Sequence, residues 1–425
     1  MPAEDYALSR IMHPFSVDGT VRVRPSKSAL HRALICAALA DGKSHITNFA
    51  YSADISATMG ALESLGLARF TTQDSVCVVH GGLHGKPRIE IDCGESGTTQ
   101  RMLFPLTLDG SRHILKGHGR LPQRPFGPYE DMCRQEGFTF RRTASGIESE
   151  GILRSMDVEM PGNVSSQFVS GYLLGLARMS GTSHVQLTSP LESAPYVDMT
   201  RDIMHRFGVE TEYDDASRTF TVPGGQRYHP ADIEIEGDYS HAAFFAAAAA
   251  LSGRVALTGL RRDSLQGDCA ILDILRQAGA NVRWMDDGSV VVQQDRLCAI
   301  DQDVSQIPDL VPVLASLACG AHGTSYLRNA ARLREKESDR LEAMRMELNN
   351  IGAHVEEEAD MLVVHADKPL TGGVADAHND HRVAMALCVA ALASRRPVLV
   401  AGTNCVRKSA PEFFQDWNRI GGTVV

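Results

Sequence analysis

The chain has 425 residues, 43% of them hydrophobic and 22% charged, a soluble globular composition with room for more than one core. A formal net charge of −10 argues against indiscriminate nucleic-acid binding, so basic residues gathered in motifs stand out. Nine scattered cysteines with no CxxC pair point away from a disulfide framework or a cysteine-held zinc, and fit a reducing compartment. The opening MPAEDYALSRIMHPF lacks a charged-then-apolar leader, and the longest apolar run, Ala242 to Leu251, is too short to span a bilayer. The expectation is a soluble cytoplasmic protein with neither membrane nor nucleic-acid partner.

In chain order, the first motif is PSKSALHR, Pro25 to Arg32, ahead of an alanine-rich helix. Lys27 and Ser28 at a helix start, with Arg32 one turn on from Ser28, suit a phosphate or carboxylate; equally, they suit a serine cap followed by two solvated cations. DCGESGTTQR follows, where Gly94, Gly97 and Thr98 let backbone amides approach an anion and Arg101 lies one turn later. GRLPQRPFG adds Arg120 and Arg124 in a proline-bounded loop. PGNVSSQF offers Ser165, Ser166 and Gln167, whose directional hydrogen bonds suit a polyhydroxylated, phosphorylated ring; a helix cap is the plainer reading.

In the second half, QIPDLVPVLASLACG sets Asp309 at the start of an apolar helix, as a cap or as a carboxylate for proton transfer. REKESDRLEAMRMEL reads as the beginning of another helix, with Lys336 and Arg340 four apart, as are Glu335 and Asp339. Like charges at that spacing repel by a few tenths of a kcal/mol per pair, which bound anions would offset. AHNDHR places Asn379 or Asp380 as a cap and His381 and Arg382 at a helix start, while VRKSAPEFF brings Lys408 ahead of a further helix. His378 and His381 have no third ligand nearby, so no metal is expected there.

Threaded through these motifs is a repeat: an amphipathic helix, a glycine stop, then a strand, a turn and a second strand. The copies include ATMGALESLGLARFTTQDSVCVVHG, VDMTRDIMHRFGVETEYDDASRTFTV and the truncated FFQDWNRIGGTVV. Their stop glycines, Gly66, Gly137, Gly208, Gly279, Gly352 and Gly421, are spaced by 71, 71, 71, 73 and 69 residues. Six α/β subdomains then form two globular halves of three, residues 25–236 and residues 237–425 completed by 1–24. The boundary falls in the Pro- and Gly-rich stretch from Val222 to Gly237. The residues before about Arg24 are expected to supply the strand the last copy lacks, so the chain crosses between halves twice. A cleft between halves, lined by cation-bearing helix starts, implies two small polyanionic ligands.

The motifs SKSALHR, GESGTTQR, QRPFG, GNVSSQF, IPDL, REKESDR, NDHR and RKSAPEFF, in this order, resemble the 5-enolpyruvylshikimate-3-phosphate synthase family over essentially the whole chain. The resemblance implies an inside-out α/β barrel architecture in two domains, six βαββαβ units, and an interdomain active site. It implies transfer of the enolpyruvyl group of phosphoenolpyruvate to the 5-hydroxyl of shikimate-3-phosphate. Shikimate-3-phosphate would fall to Lys27, Ser28, Arg32, Ser165, Ser166, Gln167, Ser193, Tyr196, Asp309 and Lys336. Phosphoenolpyruvate would fall to Lys27, Gly97, Arg124, Gln167, Arg340, Arg382 and Lys408. Asp309 would accept a proton, Glu337 donate one and Lys27 take part, with no metal or organic cofactor and with the chain a monomer. Glu95, Arg332, His31 and Glu335 depart from common family residues without removing an implied ligand. Gly97, which influences glyphosate tolerance in the family, is retained, so glyphosate inhibition is an expectation. The rival UDP-N-acetylglucosamine carboxyvinyltransferases carry a reactive cysteine in a Gly-rich loop that is not found here. A non-catalytic binding module on the same fold would be expected to lose the charged ligands.

Overall fold

In the computed structural model, which describes residues 8–423, each stop glycine lies in the left-handed region. The φ angles are 70° at Gly66, 69° at Gly137, 78° at Gly208, 107° at Gly279, 98° at Gly352 and 98° at Gly421. An L side chain resists this backbone, and at Gly66 an added Cβ would also come within 2.7 Å of the Gly85 carbonyl oxygen. The glycine therefore ends the helix and lets the next strand turn back along it.

Twelve α-helices occur among the described residues, two per repeat. They are α1 (Lys27–Leu39), α2 (Ala53–Ser64), α3 (Gly97–Leu103), α4 (Gly127–Glu136), α5 (Ser166–Leu176) and α6 (Ala194–Arg206), then α7 (Tyr239–Ser252), α8 (Ile271–Gln277), α9 (Val311–Ala318), α10 (Arg340–Asn350), α11 (His381–Ala390) and α12 (Phe413–Arg419). The odd-numbered helices are buried nearly all round, and most are rich in small or aliphatic residues, as in α7 from His241 to Ala250. The even-numbered ones bury a single stripe, such as Ile271, Leu272, Ile274 and Leu275 of α8, and end at the stop glycines.

Among the described residues the strands form six separate sheets, none closed on itself. In the second repeat Glu90–Asp92 pairs in parallel with His113–Lys116, which pairs antiparallel with Gly146–Glu150, itself the partner of Thr139–Thr143. The element order is thus βαβαββ. The expected βαββαβ order is corrected on this point. A parallel pair requires a crossover, and the odd-numbered helix supplies it, so one strand precedes that helix and one follows it. The leading strands are only three or four residues long in most repeats, too short for alternation to reveal them.

The chain divides into two compact units, Pro25–Ile235 on one side and the N-terminal segment to Arg24 with Glu236 onward on the other. The leading strands are exchanged at this boundary. Val17–Arg22 pairs with Gly253–Thr258 of the α7–α12 unit, and Asp232–Glu234 pairs with Gly42–Thr47 of the α1–α6 unit. In the sixth sheet Arg10–Met12 lies antiparallel to Val398–Ala401, in the place that a hairpin arm takes in the other five. The final residues Val424 and Val425 of the truncated repeat lie outside the described residues.

Each unit has its own core. In the α1–α6 unit Phe104, Phe126, Tyr129 and Phe168 pack together, Phe104 stacked on Tyr129 at 4.7 Å. In the α7–α12 unit α7, α9 and α11 pack on one another, joined by Phe413 and Trp417. No helix among the described residues is long and apolar enough to cross a membrane.

Candidate active site

The chemistry-bearing motifs occupy equivalent places: the turns that open the helices. In the α1–α6 unit Ser26 caps α1, its hydroxyl accepting from Ala29 N at 3.4 Å, which leaves Lys27 and Ser28 as the first two helical residues. Lys27 Nζ donates to Asp54 Oδ2 in the first turn of α2 at 2.6 Å. Arg32 is buried and fixed on three sides. Its Nε donates to Thr200 Oγ1 (2.7 Å), Nη1 to the Ser28 carbonyl (2.7 Å) and Nη2 to the Tyr196 carbonyl (2.8 Å). Burial pushes its pKa down to about 10, so it stays a cation at neutral pH. Arg32 thereby ties the start of α1 to the first turn of α6, where Ser193 holds a left-handed backbone (φ 55°, ψ 40°) and Tyr196 lies half-buried. Such a backbone in a non-glycine residue costs of order 1–3 kcal/mol and persists where neighbours impose it.

Gly97 is the first residue of α3, capped by Ser96. A Cβ there would come within 2.6 Å of Arg124 Nη1, so the absence of a side chain is what lets this guanidinium lie over the helix start. Gln167 Nε2 donates to Thr98 Oγ1 (2.8 Å) and its Oε1 accepts from Arg101 Nη1 (3.0 Å), which binds the starts of α5 and α3 together. Ser165 caps α5 through Gln167 N, and Ser166 begins the helix. Beneath lies buried His31, whose Nδ1 is 2.7 Å from Thr58 Oγ1, which in turn meets Thr99 Oγ1 at 2.6 Å. Burial, then Lys27 and Arg32, hold its pKa well below the ordinary value, so it is neutral. Glu95 reaches the 117–120 loop; its Oε2 lies 2.6 Å from where a Gly119 Cβ would be.

The α7–α12 unit gathers opposite charges. Arg340, the first residue of α10, is 1% exposed and donates to Asp309 Oδ1 (2.9 Å), Glu337 Oε2 (2.8 Å) and Asp380 Oδ2 (2.7 Å). Asp309 also accepts from Arg382 Nη2 at 3.0 Å, so one carboxylate lies between two guanidiniums. Burial alone would raise the Asp309 pKa, but Arg382, Lys336 and Arg340 hold it far below the usual carboxylate range. Asp380 caps α11 through Arg382 N at 2.9 Å, and despite its burial Arg340 keeps its pKa low as well. Lys408 Nζ donates to the Asn379 carbonyl at 2.6 Å. Lys336 is pushed down to about 7, by burial first and then by Arg332 and Arg340, against the pull of Asp309.

One reading of the sequence is overturned here, and two that it left open are decided. The helix containing Arg340 begins at Arg340 itself, capped by Asp339, while Lys336 has extended backbone before it. The Lys336–Arg340 pair is therefore not a helical i,i+4 pair, and the protein's own carboxylates offset its repulsion. Asp309 is not a cap: it sits in the turn Pro308–Leu310 and its side chain serves Arg340 and Arg382. The cap of α11 is Asp380, not Asn379, and its role in binding Arg340 was not visible in the sequence. Two further groups escaped sequence reading. Asp54 holds Lys27, and its only signal was a serine two residues earlier. Buried Asp268 bonds with the Ser240 hydroxyl, and burial followed by Asp309 pushes its pKa up to about 7.

The model of the family described as EPSP synthase (3-phosphoshikimate 1-carboxyvinyltransferase) matches residues 11–417. The 3-phosphoshikimate 1-carboxyvinyltransferase of Clostridium kluyveri is 40% identical over 417 residues, covering 97% of each chain. That of Clostridium acetobutylicum is 39% identical over 420 residues, again covering 97% of each. Among solved structures, EPSP synthase from Acinetobacter baumannii superposes with a TM-score of 0.80 at 26% identity, covering 98% of this chain and 99% of that one. The enolpyruvyl transferase NikO from Streptomyces tendae shares the fold, with a TM-score of 0.77 at 20% identity and 98% coverage of both.

Proposed function

The chain belongs to the EPSP synthase (3-phosphoshikimate 1-carboxyvinyltransferase) family, and from that premise we propose how its two sets of helix starts share one pair of substrates. The reaction transfers the carboxyvinyl group of phosphoenolpyruvate to the 5-hydroxyl of shikimate-3-phosphate, yielding 5-enolpyruvylshikimate-3-phosphate and phosphate. It belongs to the shikimate pathway of aromatic amino-acid biosynthesis. Shikimate-3-phosphate is held by Lys27, Ser28, Arg32, Ser165, Ser166, Gln167, Ser193, Tyr196, Asp309 and Lys336. Phosphoenolpyruvate is held by Lys27, Gly97, Arg124, Gln167, Arg340, Arg382 and Lys408. Each list draws residues from both units, on a monomeric cytoplasmic enzyme.

The observation that carries this reading is the carboxylate of Asp309 between Arg340 and Arg382. Without substrate the two cations keep Asp309 ionised and a weak base. The carboxylate and phosphate of phosphoenolpyruvate compete for the same guanidiniums, and as they engage them Asp309 gains proton affinity where the 5-hydroxyl must lose its proton. The hydroxyl oxygen adds to C2 while a proton reaches C3, giving a tetrahedral adduct. Loss of a proton from C3 and of phosphate from C2 restores the double bond. Glu337, hydrogen-bonded to Arg340, is the donor to C3, and Lys27 also takes part in the proton transfers. Glyphosate, a small phosphonate, competes for the phosphoenolpyruvate residues.

The test is phosphate release from shikimate-3-phosphate and phosphoenolpyruvate supplied together. Release that needs only one of them, or that proceeds equally with UDP-N-acetylglucosamine, overturns the reading.

A further inference from the structure

A cluster with ligand chemistry and no part in the reaction lies in the α7–α12 unit, on the hairpin of the fifth repeat, strands Val355–Glu357 and Leu362–Ala366. His354 and His365 oppose each other there. His365 N donates to the His354 carbonyl at 2.9 Å, and the two rings lie 4.4 Å apart at 33°. Glu356, two residues beyond His354, projects to the same face because strand side chains alternate. Its Oε1 is 3.5 Å from His354 Nε2 and 3.7 Å from His365 Nε2, and the ligand atoms of all three lie within 4.8 Å of one another. The remaining ring nitrogens are held from behind. His354 Nδ1 lies 3.4 Å from Asp367 Oδ2, and His365 Nδ1 lies 3.1 Å from Thr324 Oγ1 on the neighbouring strand Gly323–Arg328. His365 Nε2 is buried and, among the described residues, meets no hydrogen-bond partner.

We propose that His354, Glu356 and His365 form a site for a divalent first-row transition ion, bound through the two Nε2 atoms and the Glu356 carboxylate with water completing the shell. Two imidazoles and a carboxylate are a donor set suited to zinc or nickel rather than to calcium or magnesium. Donors at about 2.0–2.1 Å from a tetrahedral ion stand roughly 3.3 Å apart, so the two observed separations to Glu356 need only a small contraction. The contacts of Asp367 and Thr324 with Nδ1 are the outer-shell arrangement that fixes which nitrogen faces the ion. All three ligands come from one hairpin, so the bound ion clamps its two strands. The same strand carries Glu357 on its opposite face, where it accepts from Arg334 and Arg345. Binding there stiffens the strand that braces the segment before Lys336.

The experiment uses the full chain, tag-free and stripped with chelator, titrated calorimetrically with Ni²⁺, an ion that favours imidazole over the exposed thiol of Cys298. One equivalent is expected, with a rise in melting temperature. His354→Ala and His365→Ala should each weaken binding at least about tenfold, and Asp367→Asn about tenfold through the outer shell. Circular dichroism should show all three folded, with phosphate release unchanged. Absence of stoichiometric binding overturns the proposal, because the cluster would then be only neighbouring polar side chains on a hairpin. So does equal binding by wild type and both histidine variants, which would place the ion at the surface His–Asp pairs instead, such as His45 with Asp232.

Discussion

The two units put their polar residues at the same point of the repeat but fill it with different materials. In the α1–α6 unit the helix starts present hydroxyls, an amide and cations that, apart from the Lys27–Asp54 ion pair, are tied to one another by neutral or backbone partners. Arg32 donates to two carbonyls and a threonine, and Gln167 bridges Thr98 and Arg101. In the α7–α12 unit the equivalent places hold three carboxylates around Arg340, with Arg382 and Lys336 beside them. The first set holds its polar groups in place by directional hydrogen bonds. The second is a poised charge network, in which adding an anion redistributes ion pairs and changes proton affinities. One scaffold repeated six times supports both, because the βαβαββ framework fixes where a helix start points without fixing what it carries.

This contrast can be broken most severely at Asp309. Asp309→Asn should lower kcat for phosphate release by about 10²–10⁴-fold, the usual worth of a positioned acid or base. A serine of the other unit, as in Ser166→Ala, should act mainly on the KM for shikimate-3-phosphate. If the two variants show the same kinetic pattern, the division of labour is wrong.

Next is Arg340→Met, which strands Asp309, Glu337 and Asp380 without their shared buried cation. It should cost about 3–5 kcal/mol in denaturant unfolding. Lys27→Met removes a single partly exposed pair with Asp54 and should cost clearly less. Equal costs would mean that the network is not the dense element described here.

Lys336 gives a smaller, pH-dependent effect. Its pKa near 7 means that it is charged below that value and neutral above it. Binding a phosphate favours the charged form, so shikimate-3-phosphate affinity should fall by up to about tenfold per pH unit as pH rises above 7. Lys336→Arg, which stays charged, should flatten that dependence in calorimetric titrations between pH 6.5 and 9.

The smallest effect is local to the α1–α6 unit. Gly97→Ala would set a Cβ against the Arg124 guanidinium, displacing a residue proposed to hold phosphoenolpyruvate while leaving α1 and α6 untouched. The KM for phosphoenolpyruvate should rise about tenfold, roughly 1.4 kcal/mol, with that for shikimate-3-phosphate unchanged. Equal rises in both would show that the two ligand sets are not separable at this helix start.

Much of this was legible in the chain itself. The stop glycines and the amphipathic helices before them are local features, since a left-handed residue and a 3.6-residue stripe need no knowledge of what packs opposite. The residues of the helix starts were likewise legible, because capping and anion-binding chemistry is written in a few consecutive positions. The short leading strands were not, for three residues such as Glu90–Asp92 become a strand only when a parallel neighbour is present. Two of the partners of Arg340 were hidden for the same reason. Asp380 lies 40 residues away and Asp309 lies 31 away, and no local rule joins them. The sequence by itself determined the repeat, the halves' composition and the identity of the polar groups. Only the tertiary structure decided which charges share a buried site, because Coulomb energy and desolvation depend on distance and burial in space, not on separation along the chain.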